Sequence, residues 1–248
     1  MARRIAVTPG LQKKDEPTRE KLLDAAEKVF SQFGFEGTSV RMINAEAQVD
    51  SGAIHYHFRT KQDLFRAVIK RRGEVLSSDR LMRLARCTDG RGGKPLVEQI
   101  VAAYILPYIS PALGSRDERL RFARLRAQVM AEQPNSDSSP LGTEHQHTGQ
   151  KFIDALSSAL PHLAPHEVRL RYLIMWSSLN TLSAGLGQAA LELQRRGNPL
   201  LDFERDVPAL IGLFAAMFLA APTKLPAQAE RPKPAAFNRP RRPSRRSR

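Results

Sequence analysis

The stretch TSVRMINAEAQVDSGAIHYHF, at residues 38–58, has the clearest periodic pattern in this chain. It predicts two short helices joined by a tight turn at residues 48–50. Val40 and Ile43 are three residues apart and share the inward side of the first helix. Thr38 is the predicted N-cap of that helix, because its hydroxyl can accept a hydrogen bond from a free amide of the first turn.

The second helix of this stretch combines an apolar face with a polar aromatic face. Ile54 and Phe58 are four residues apart and are predicted to face inward, and Asp50 or Ser51 is the predicted cap. A short helix that starts with small residues and has a polar, aromatic outer face suits the major groove of DNA. The small residues are Gly52 and Ala53, and the outward residues are Ser51, His55, Tyr56 and His57.

The net charge of +14 is unevenly distributed along the chain. Residues 1–86 contain 17 Lys and Arg against 11 Asp and Glu, residues 87–221 contain 13 of each, and residues 222–248 contain 9 against 1. A basic start and a basic tail around a neutral middle predict that one end meets phosphates while the middle has another role.

The bulk composition predicts a folded, soluble protein. Hydrophobic residues make up 42% of the 248-residue chain, and its single cysteine excludes an internal disulfide framework and fits a reducing cytoplasm. Residues 1–10 lack the apolar core of a signal peptide. The longest nearly apolar run, residues 209–221, is too short to span a bilayer. We therefore expect a cytoplasmic protein that is not associated with a membrane.

Residues 18–65 resemble the DNA-binding domain of the TetR family of bacterial one-component regulators. The sequence departs from the family pattern at the turn, where Gln48 replaces a glycine and must accept a left-handed conformation or reshape the turn. Asn44 replaces a small residue and Asp50 a serine. The matching residues are Thr18, Arg19, Leu22, Leu23, Ala25, Ala26, Phe30, Gly34, Phe35, Thr38, Ser39, Val40, Ile43, Ala47, Val49, Gly52, Ala53, Ile54, Tyr56, His57, Phe58 and Lys61.

The resemblance implies an all-α fold with an N-terminal three-helix helix-turn-helix domain and a C-terminal helical ligand-binding and dimerisation domain. A helix is predicted from Pro17, at its first position, to Phe33, with Glu27 on its outer face. The predicted divisions are a disordered basic leader at 1–16, the helix-turn-helix domain at 17–60, a connecting helix at 61–88, the ligand-binding and dimerisation domain at 95–221, and a disordered basic tail at 222–248.

The same resemblance implies which residues meet double-stranded DNA. We expect Tyr56 and His57 on the phosphate backbone, His55 nearer to base edges, and Lys61 on a phosphate at the start of the next helix. Arg41 is expected to touch phosphate or base. The full predicted set is Thr38, Ser39, Arg41, Ser51, Gly52, Ala53, His55, Tyr56, His57 and Lys61.

The resemblance also places an effector pocket inside the C-terminal domain. An aromatic stripe at helical spacing can equally be plain core, but Trp, Met and Tyr with few charges favour a hydrophobic small molecule with a small polar end. In the family, the last two helices, here predicted at 166–196 and 202–221, pair with their two-fold mates; packing within one subunit is the alternative. The candidate pocket residues are Tyr104, Tyr108, Phe122, Met130, Phe152, Leu156, Tyr172, Met175, Trp176 and Asn180.

We therefore predict a homodimeric transcriptional repressor that an effector releases from a pseudo-palindromic operator. Two other classes stay open: a non-specific architectural DNA-binding protein driven by the basic ends, and a metal-dependent helical hydrolase. The second rests only on the histidines at 145, 147, 162 and 166, which form no H-E-x-x-H motif. No nucleophile motif is present, so we expect no enzyme, no cofactor and no metal site.

Overall fold

A computed structural model describes residues 12–87, 96–132, 142–184 and 203–223. These ranges contain helices and no strand, and the predicted all-α class is confirmed. Two short 3-10 turns, Leu106–Ile109 and Pro111–Leu113, follow the fifth helix. The helices are α1 Gln12–Phe33, α2 Val40–Ala47, α3 Ala53–Phe58, α4 Lys61–Ala85, α5 Val97–Ile105, α6 Arg116–Glu132, α7 Gly142–Ala159, α8 Pro165–Ser183 and α9 Phe203–Leu219.

Helix α1 begins earlier than its sequence predicts. Its first residue is Gln12, so the predicted start at Pro17 is wrong by five residues and the predicted leader at 1–16 overlaps the helix. Pro17 has no amide to donate and costs the helix one hydrogen bond, but it lies within the second turn, near the free end. Residues 1–11, the tail beyond 223 and the later part of the helix predicted at 166–196 lie outside the described residues.

The N-terminal domain is built around one apolar core. Ile43 of α2 and Ile54 of α3 are fully buried against α1 and the first turns of α4. Three phenylalanines pack edge to face there, with ring centroids 4.9 Å apart for Phe30 and Phe65 and 5.0 Å apart for Phe35 and Phe65. This packing fixes α3 on a rigid support, and the inward faces predicted for α2 and α3 are confirmed.

The C-terminal domain packs α5, α7, α8 and α9 around a second apolar core. A buried arginine joins the ends of two of these helices. The Arg171 guanidinium in α8 donates to the Glu167 carboxylate and to four backbone carbonyl groups at the C-terminal end of α9. A positive charge is favourable there, because a helix C-terminus carries partial negative charge and unpaired carbonyl groups. The accepting carbonyl groups belong to Met217, Phe218, Ala220 and Ala221.

A charged junction joins the two domains. Glu27 of α1, predicted to face outward, is only 2% exposed and accepts hydrogen bonds from Arg71 and Arg72 of α4. Arg72 also donates to the carbonyl group of Leu113 at 3.1 Å and to the Glu118 carboxylate at 2.7 Å. One guanidinium therefore links α1, α4, α6 and the turn before α6.

Glu118 makes this junction sensitive to acid. The Ser115 amide donates to the Glu118 carboxylate at 2.7 Å, and Arg72 pairs with it; these contacts lower the pKa of Glu118 from 4.5 to about 2. A lowered pKa in the folded state means stability that is present above the ordinary pKa of 4.5 and is lost as the pH falls towards 2.

We therefore expect Glu118→Gln to be less stable than the wild type at neutral pH. The difference should shrink as the pH falls below the ordinary pKa, because the wild-type protein then loses the same interaction. Urea unfolding measured from about pH 6 to about pH 3 tests this. A difference that stays constant over that range would contradict it.

Candidate nucleic-acid interface and interior cavity

The turn between α2 and α3 uses a left-handed residue that is not glycine. Gln48 has φ 54° and ψ 49°, so the expected left-handed conformation at this position is found. Its strain costs roughly 1 kcal/mol. Asn44, only 6% exposed, donates from Nδ2 to the carbonyl group of Ser51 at 3.1 Å and thereby ties α2 to the start of α3. Two of the three departures from the family pattern thus act at this turn: Gln48 lies in it, and Asn44 of α2 helps to hold it.

Helix α3 presents its polar face outward. Ile54 and Phe58 are buried, whereas the Tyr56 side chain is 70% exposed and its ring packs edge to face on His57 at 4.9 Å. Ser51, Gly52 and His55 are exposed, and Ala53 and His57 are partly exposed. The N-cap residue is Gly52 and makes no side-chain cap, so the predicted cap by Asp50 or Ser51 is wrong.

The histidine nearest to the expected base edges has a defined orientation. Nδ1 of His55 lies 2.9 Å from the carbonyl oxygen of Arg59. Because a carbonyl can only accept, Nδ1 carries the hydrogen, and in the neutral ring Nε2 is left as an acceptor. Arg59 has φ 64° and is exposed directly after α3.

Two residues predicted to meet DNA are instead engaged inside the domain. Thr38 is 3% exposed, and its hydroxyl donates to the carbonyl group of Gly34 at 2.6 Å. The N-cap of α2 is therefore Ser39, whose hydroxyl accepts from the amide of Met42. The side chain of Thr38 stabilises the turn after α1 and does not face outward.

Lys61 has a similar internal role. Its ammonium donates to the carbonyl groups of Phe35 at 2.8 Å and Thr38 at 2.9 Å, and it lies 4.2 Å from the Phe35 ring centroid. These contacts hold the segment between α1 and α2 against α4. Lys61 therefore positions the helix-turn-helix segment, and the predicted contact of its ammonium with a DNA phosphate is corrected.

Arg41 and Arg19 are further exposed basic residues of the helix-turn-helix domain. Arg41 is exposed in the first turn of α2. Arg19 was used only for the family resemblance, but its guanidinium carbon lies 5.2 Å from the Phe58 ring centroid and so brings a positive charge beside α3. Its place next to Thr18 in the family motif was the signal that could have marked it.

The C-terminal domain contains a partly open cavity of about 150 Å³. Of the predicted pocket residues, Tyr108 and Phe122 line it, and Asn180 reaches it through Arg126, which donates to its amide oxygen. The other lining residues are Leu113, Arg116, Arg119, Leu120, Ala123, Arg126, Leu182, Ser183, Phe203 and Glu204.

The remaining predicted pocket residues lie elsewhere. Tyr104, Phe152, Leu156, Tyr172 and Met175 belong to the apolar core, where the hydroxyl of Tyr172 donates to that of Tyr104 at 3.2 Å. Trp176 packs at the edge of this core, and the side chain of Met130 lies outside the described residues. These aromatic residues are therefore core, which is the alternative that their spacing left open.

The sequence reasoning missed the arginines of this domain. Arg80 is 1% exposed and Arg126 is 4% exposed, and Arg126 borders the cavity. Each follows a buried apolar residue by four positions, Leu76 and Phe122 respectively, and so lies on the inward face of its helix. That helical phase was the signal that could have found them.

The described residues contain no group of three or more His, Cys, Asp or Glu placed to hold a metal ion. None of their helices is long and apolar enough to cross a membrane.

Both domains of the chain match known protein families. The family described as bacterial regulatory proteins, tetR family, matches residues 22–68, and the family described as tetracyclin repressor-like, C-terminal domain, matches residues 102–217. Together these matches span the helix-turn-helix segment and most of the helices around the cavity.

Individual relatives match over part of the chain. The transcriptional repressor AcnR of Corynebacterium glutamicum is 35% identical over 78 residues, which are 29% of this chain and 42% of that protein. The transcriptional regulator UidR of Escherichia coli is 29% identical over 107 residues, 43% of this chain and 50% of that protein. The chain thus spans about half the length of the curated relatives that it matches.

The fold extends over most of the chain. A bacterial regulatory protein of the tetR family from Rhodococcus RHA1 has a solved structure that covers 81% of this chain and 96% of its own, with a TM-score of 0.57 and 15% identity. At that identity the likeness concerns the fold alone.

The left-handed turn yields a stability prediction. Gln48→Gly should raise the free energy of unfolding by about 0.5–1 kcal/mol, because glycine adopts this conformation without strain and loses part of the gain to its larger unfolded-state entropy. Urea unfolding measures the change. The matched control, Gln62→Gly in the right-handed first turn of α4, should lower stability by up to about 1 kcal/mol. Destabilisation by both substitutions would contradict the strain at Gln48.

Proposed function

Because the chain belongs to the TetR family of bacterial transcriptional regulators, we propose that it is a sequence-specific DNA-binding repressor that acts as a homodimer. The observation that carries this proposal is the geometry of α3, whose exposed polar aromatic face stands on a buried support of Ile54 and Phe58. A short helix held in this way can enter a major groove with its outward side chains on phosphates and base edges. The proposed role is regulatory and not catalytic, on the nucleoid in the bacterial cytoplasm.

The proposed DNA-contacting set follows the exposed residues. It retains Ser39 and Arg41 at the start of α2, together with the outer face of α3 and its flanks. Arg19 and Arg59 are added because both are exposed and adjoin α3. On α3 and before it, the contacting residues are Ser51, Gly52, Ala53, His55, Tyr56 and His57.

Exposed apolar residues support a dimer through the last two described helices. Leu170, Leu173 and Ile174 of α8 are 55%, 52% and 45% exposed, and Leu213 and Leu219 of α9 are 67% and 60% exposed. A two-fold partner would cover these side chains with the same surface of its own chain, and the pairs of helices would form a four-helix bundle. A pseudo-palindromic operator follows from that two-fold symmetry.

The junction suggests how a small-molecule effector would act at a distance. Leu113 lines the cavity, and its carbonyl group accepts from Arg72, which also holds Glu27 of the N-terminal domain. A ligand that moves the turn at Leu113 would therefore act on α4 and on the spacing of the two reading heads. Such a ligand must bind the released state more tightly than the DNA-bound state.

Operator selection from a random DNA library, with the full chain at near-physiological salt, tests the function. We expect an enriched inverted repeat. On that operator, Tyr56→Ala combined with His57→Ala should weaken binding at least about tenfold without changing its salt dependence, because the lost groups are uncharged when the histidine is neutral.

One control variant and two possible outcomes complete this test. His162→Ala, at an exposed loop position before α8, should leave affinity unchanged. Affinity for DNA without any enriched sequence would contradict the proposal and favour a non-specific architectural protein. Unchanged operator affinity in the double variant would remove Tyr56 and His57 from the contacting set.

The dimer surface is tested separately. Leu213→Glu should shift the protein from dimer to monomer, because a carboxylate would be buried between the two subunits without a partner. Sedimentation velocity measures the state. Leu96→Glu, at a leucine that is 58% exposed just before α5, is the matched control and should remain a dimer. A Leu213→Glu variant as dimeric as the control would exclude α9 from the interface.

A further inference from the structure

Two positive charges lie inside the C-terminal domain around the ring of Tyr108. The guanidinium carbons of Arg80 and Arg126 lie 4.8 Å and 5.0 Å from the centroid of that ring, and both side chains are almost fully buried. Burial, partly offset by Tyr108, lowers the pKa of Arg126, and the nearby charge of Arg80 lowers it further. An arginine nevertheless stays protonated in a protein, so both groups keep their charge.

The acceptors around these two arginines are a tyrosine hydroxyl, an amide oxygen and a backbone carbonyl group. Arg126 Nη2 donates to the hydroxyl of Tyr108 at 2.8 Å and to the amide oxygen of Asn180, while Arg80 Nε donates to the carbonyl group of Tyr104 at 3.1 Å. Within the described residues, neither of these two arginines forms an ion pair. Arg72, Arg119 and Arg171, by contrast, each pair with a glutamate. Buried charges are ordinarily paired, since an unpaired buried charge costs several kcal/mol.

Within the residues that the structure describes, three buried nitrogen atoms of this cluster make no hydrogen bond. They are Nη1 of Arg126, Nη2 of Arg80 and Nδ2 of Asn180, and all three are donors. A buried donor without an acceptor is rare in native proteins because it loses its hydration without compensation. The missing group must therefore accept hydrogen bonds, and the adjacent positive charge favours an anion.

The cavity beside Arg126 limits the size of that group. Its volume of about 150 Å³ equals that of an apolar cavity that holds one benzene molecule, and it is smaller than a drug-sized pocket. Apolar side chains form much of the wall. They are Leu113, Leu120, Phe122, Leu182 and Phe203.

The wall also contains Arg116, which is exposed, and two charged groups that are engaged with each other. Arg119 pairs with Glu204 and also donates to the carbonyl group of Gly114. Its charge is therefore balanced within the described residues, and that of Arg126 is not. This difference places the attraction for an anion at the Tyr108 end of the cavity.

We propose that this cavity binds a small organic carboxylate, with its carboxylate on Arg126 and its apolar body between Phe122 and Leu182. Asn180 orients Arg126 by accepting from it through the amide oxygen, and Arg80 adds positive potential from behind the Tyr108 ring. The role of this ligand as the effector rests on the proposed repressor function; the binding site itself does not. The predicted hydrophobic effector with a polar end thus becomes one whose polar end is charged.

Comparing the binding of a carboxylate with that of its neutral amide separates the effect of charge from the effect of shape. Binding to the full-length wild-type protein is measured by calorimetry for three pairs: benzoate and benzamide, phenylacetate and phenylacetamide, isobutyrate and isobutyramide. In the pair whose body fits, the carboxylate should bind at least about tenfold more tightly, because hydrogen bonds to a charged group are stronger. If no carboxylate binds more tightly than its amide, the proposal is overturned. Inorganic phosphate binding as tightly as the best carboxylate would also overturn it.

Substitutions then locate the site. Arg126→Met should abolish the preference for the carboxylate, and Arg126→Lys should retain part of it. Arg124→Met, at an exposed arginine of the same helix, is the matched control and should bind like the wild type. A preference that survives in Arg126→Met would place the anion elsewhere and overturn the assignment. If Arg126→Met does not fold, Arg126→Lys and the wild-type pairs still decide the outcome.

The effector role is read out on the selected operator. Release of the operator by the carboxylate that binds, and not by its amide, is the expected result. Binding without release would leave the carboxylate site in place and refute its role as effector. Binding by a protein that selects no operator would refute the repressor function alone, and operator selection without carboxylate preference would refute this inference alone.

Discussion

The buried ion pair between Glu27 and Arg72 is the interaction on which the arrangement of the two domains depends. A carboxylate that is 2% exposed needs its cationic partners, because its desolvation would otherwise cost several kcal/mol. Arg72 is one of these partners. It also pairs with the Glu118 carboxylate and donates to the carbonyl group of Leu113. The orientation of α1, and with it the helix-turn-helix segment, is thereby tied to the turn that borders the cavity.

Buried polar side chains in both domains depend on backbone carbonyl groups as hydrogen-bond acceptors. In the N-terminal domain, the Thr38 hydroxyl and the Asn44 amide nitrogen donate to backbone carbonyl groups, which helps to hold the support of α3. In the C-terminal domain, Arg171 is likewise satisfied by carbonyl groups and Glu167, whereas Arg80 and Arg126 keep unpaired donors. The unpaired donor of Arg126 lies beside the cavity, where a bound molecule can complete it.

The sequence predicts the apolar skeleton of this protein well and its buried charges poorly. Ile54 and Phe58 were placed correctly because helical spacing directly encodes an inward face. Glu27 was assigned to the surface and Arg126 was overlooked, since a charged residue at a core position is recognised only when its partner on a distant helix is known. Lys61 illustrates the same limit: its family position indicated a phosphate contact, but two carbonyl groups from the preceding segment engage its ammonium.

These buried charges also constrain how any ligand could control DNA binding. A ligand shifts an equilibrium only by its difference in affinity between two states, and that difference must arise where the states differ in contacts. At the turn before α6, Leu113 lines the cavity, and its carbonyl group accepts a hydrogen bond from Arg72. The next carbonyl group, that of Gly114, accepts from Arg119. A ligand that displaces this turn changes the support of Arg72 and therefore of Glu27. A ligand that fills the cavity without moving the turn has no such route to α1 and would stabilise the protein without releasing DNA.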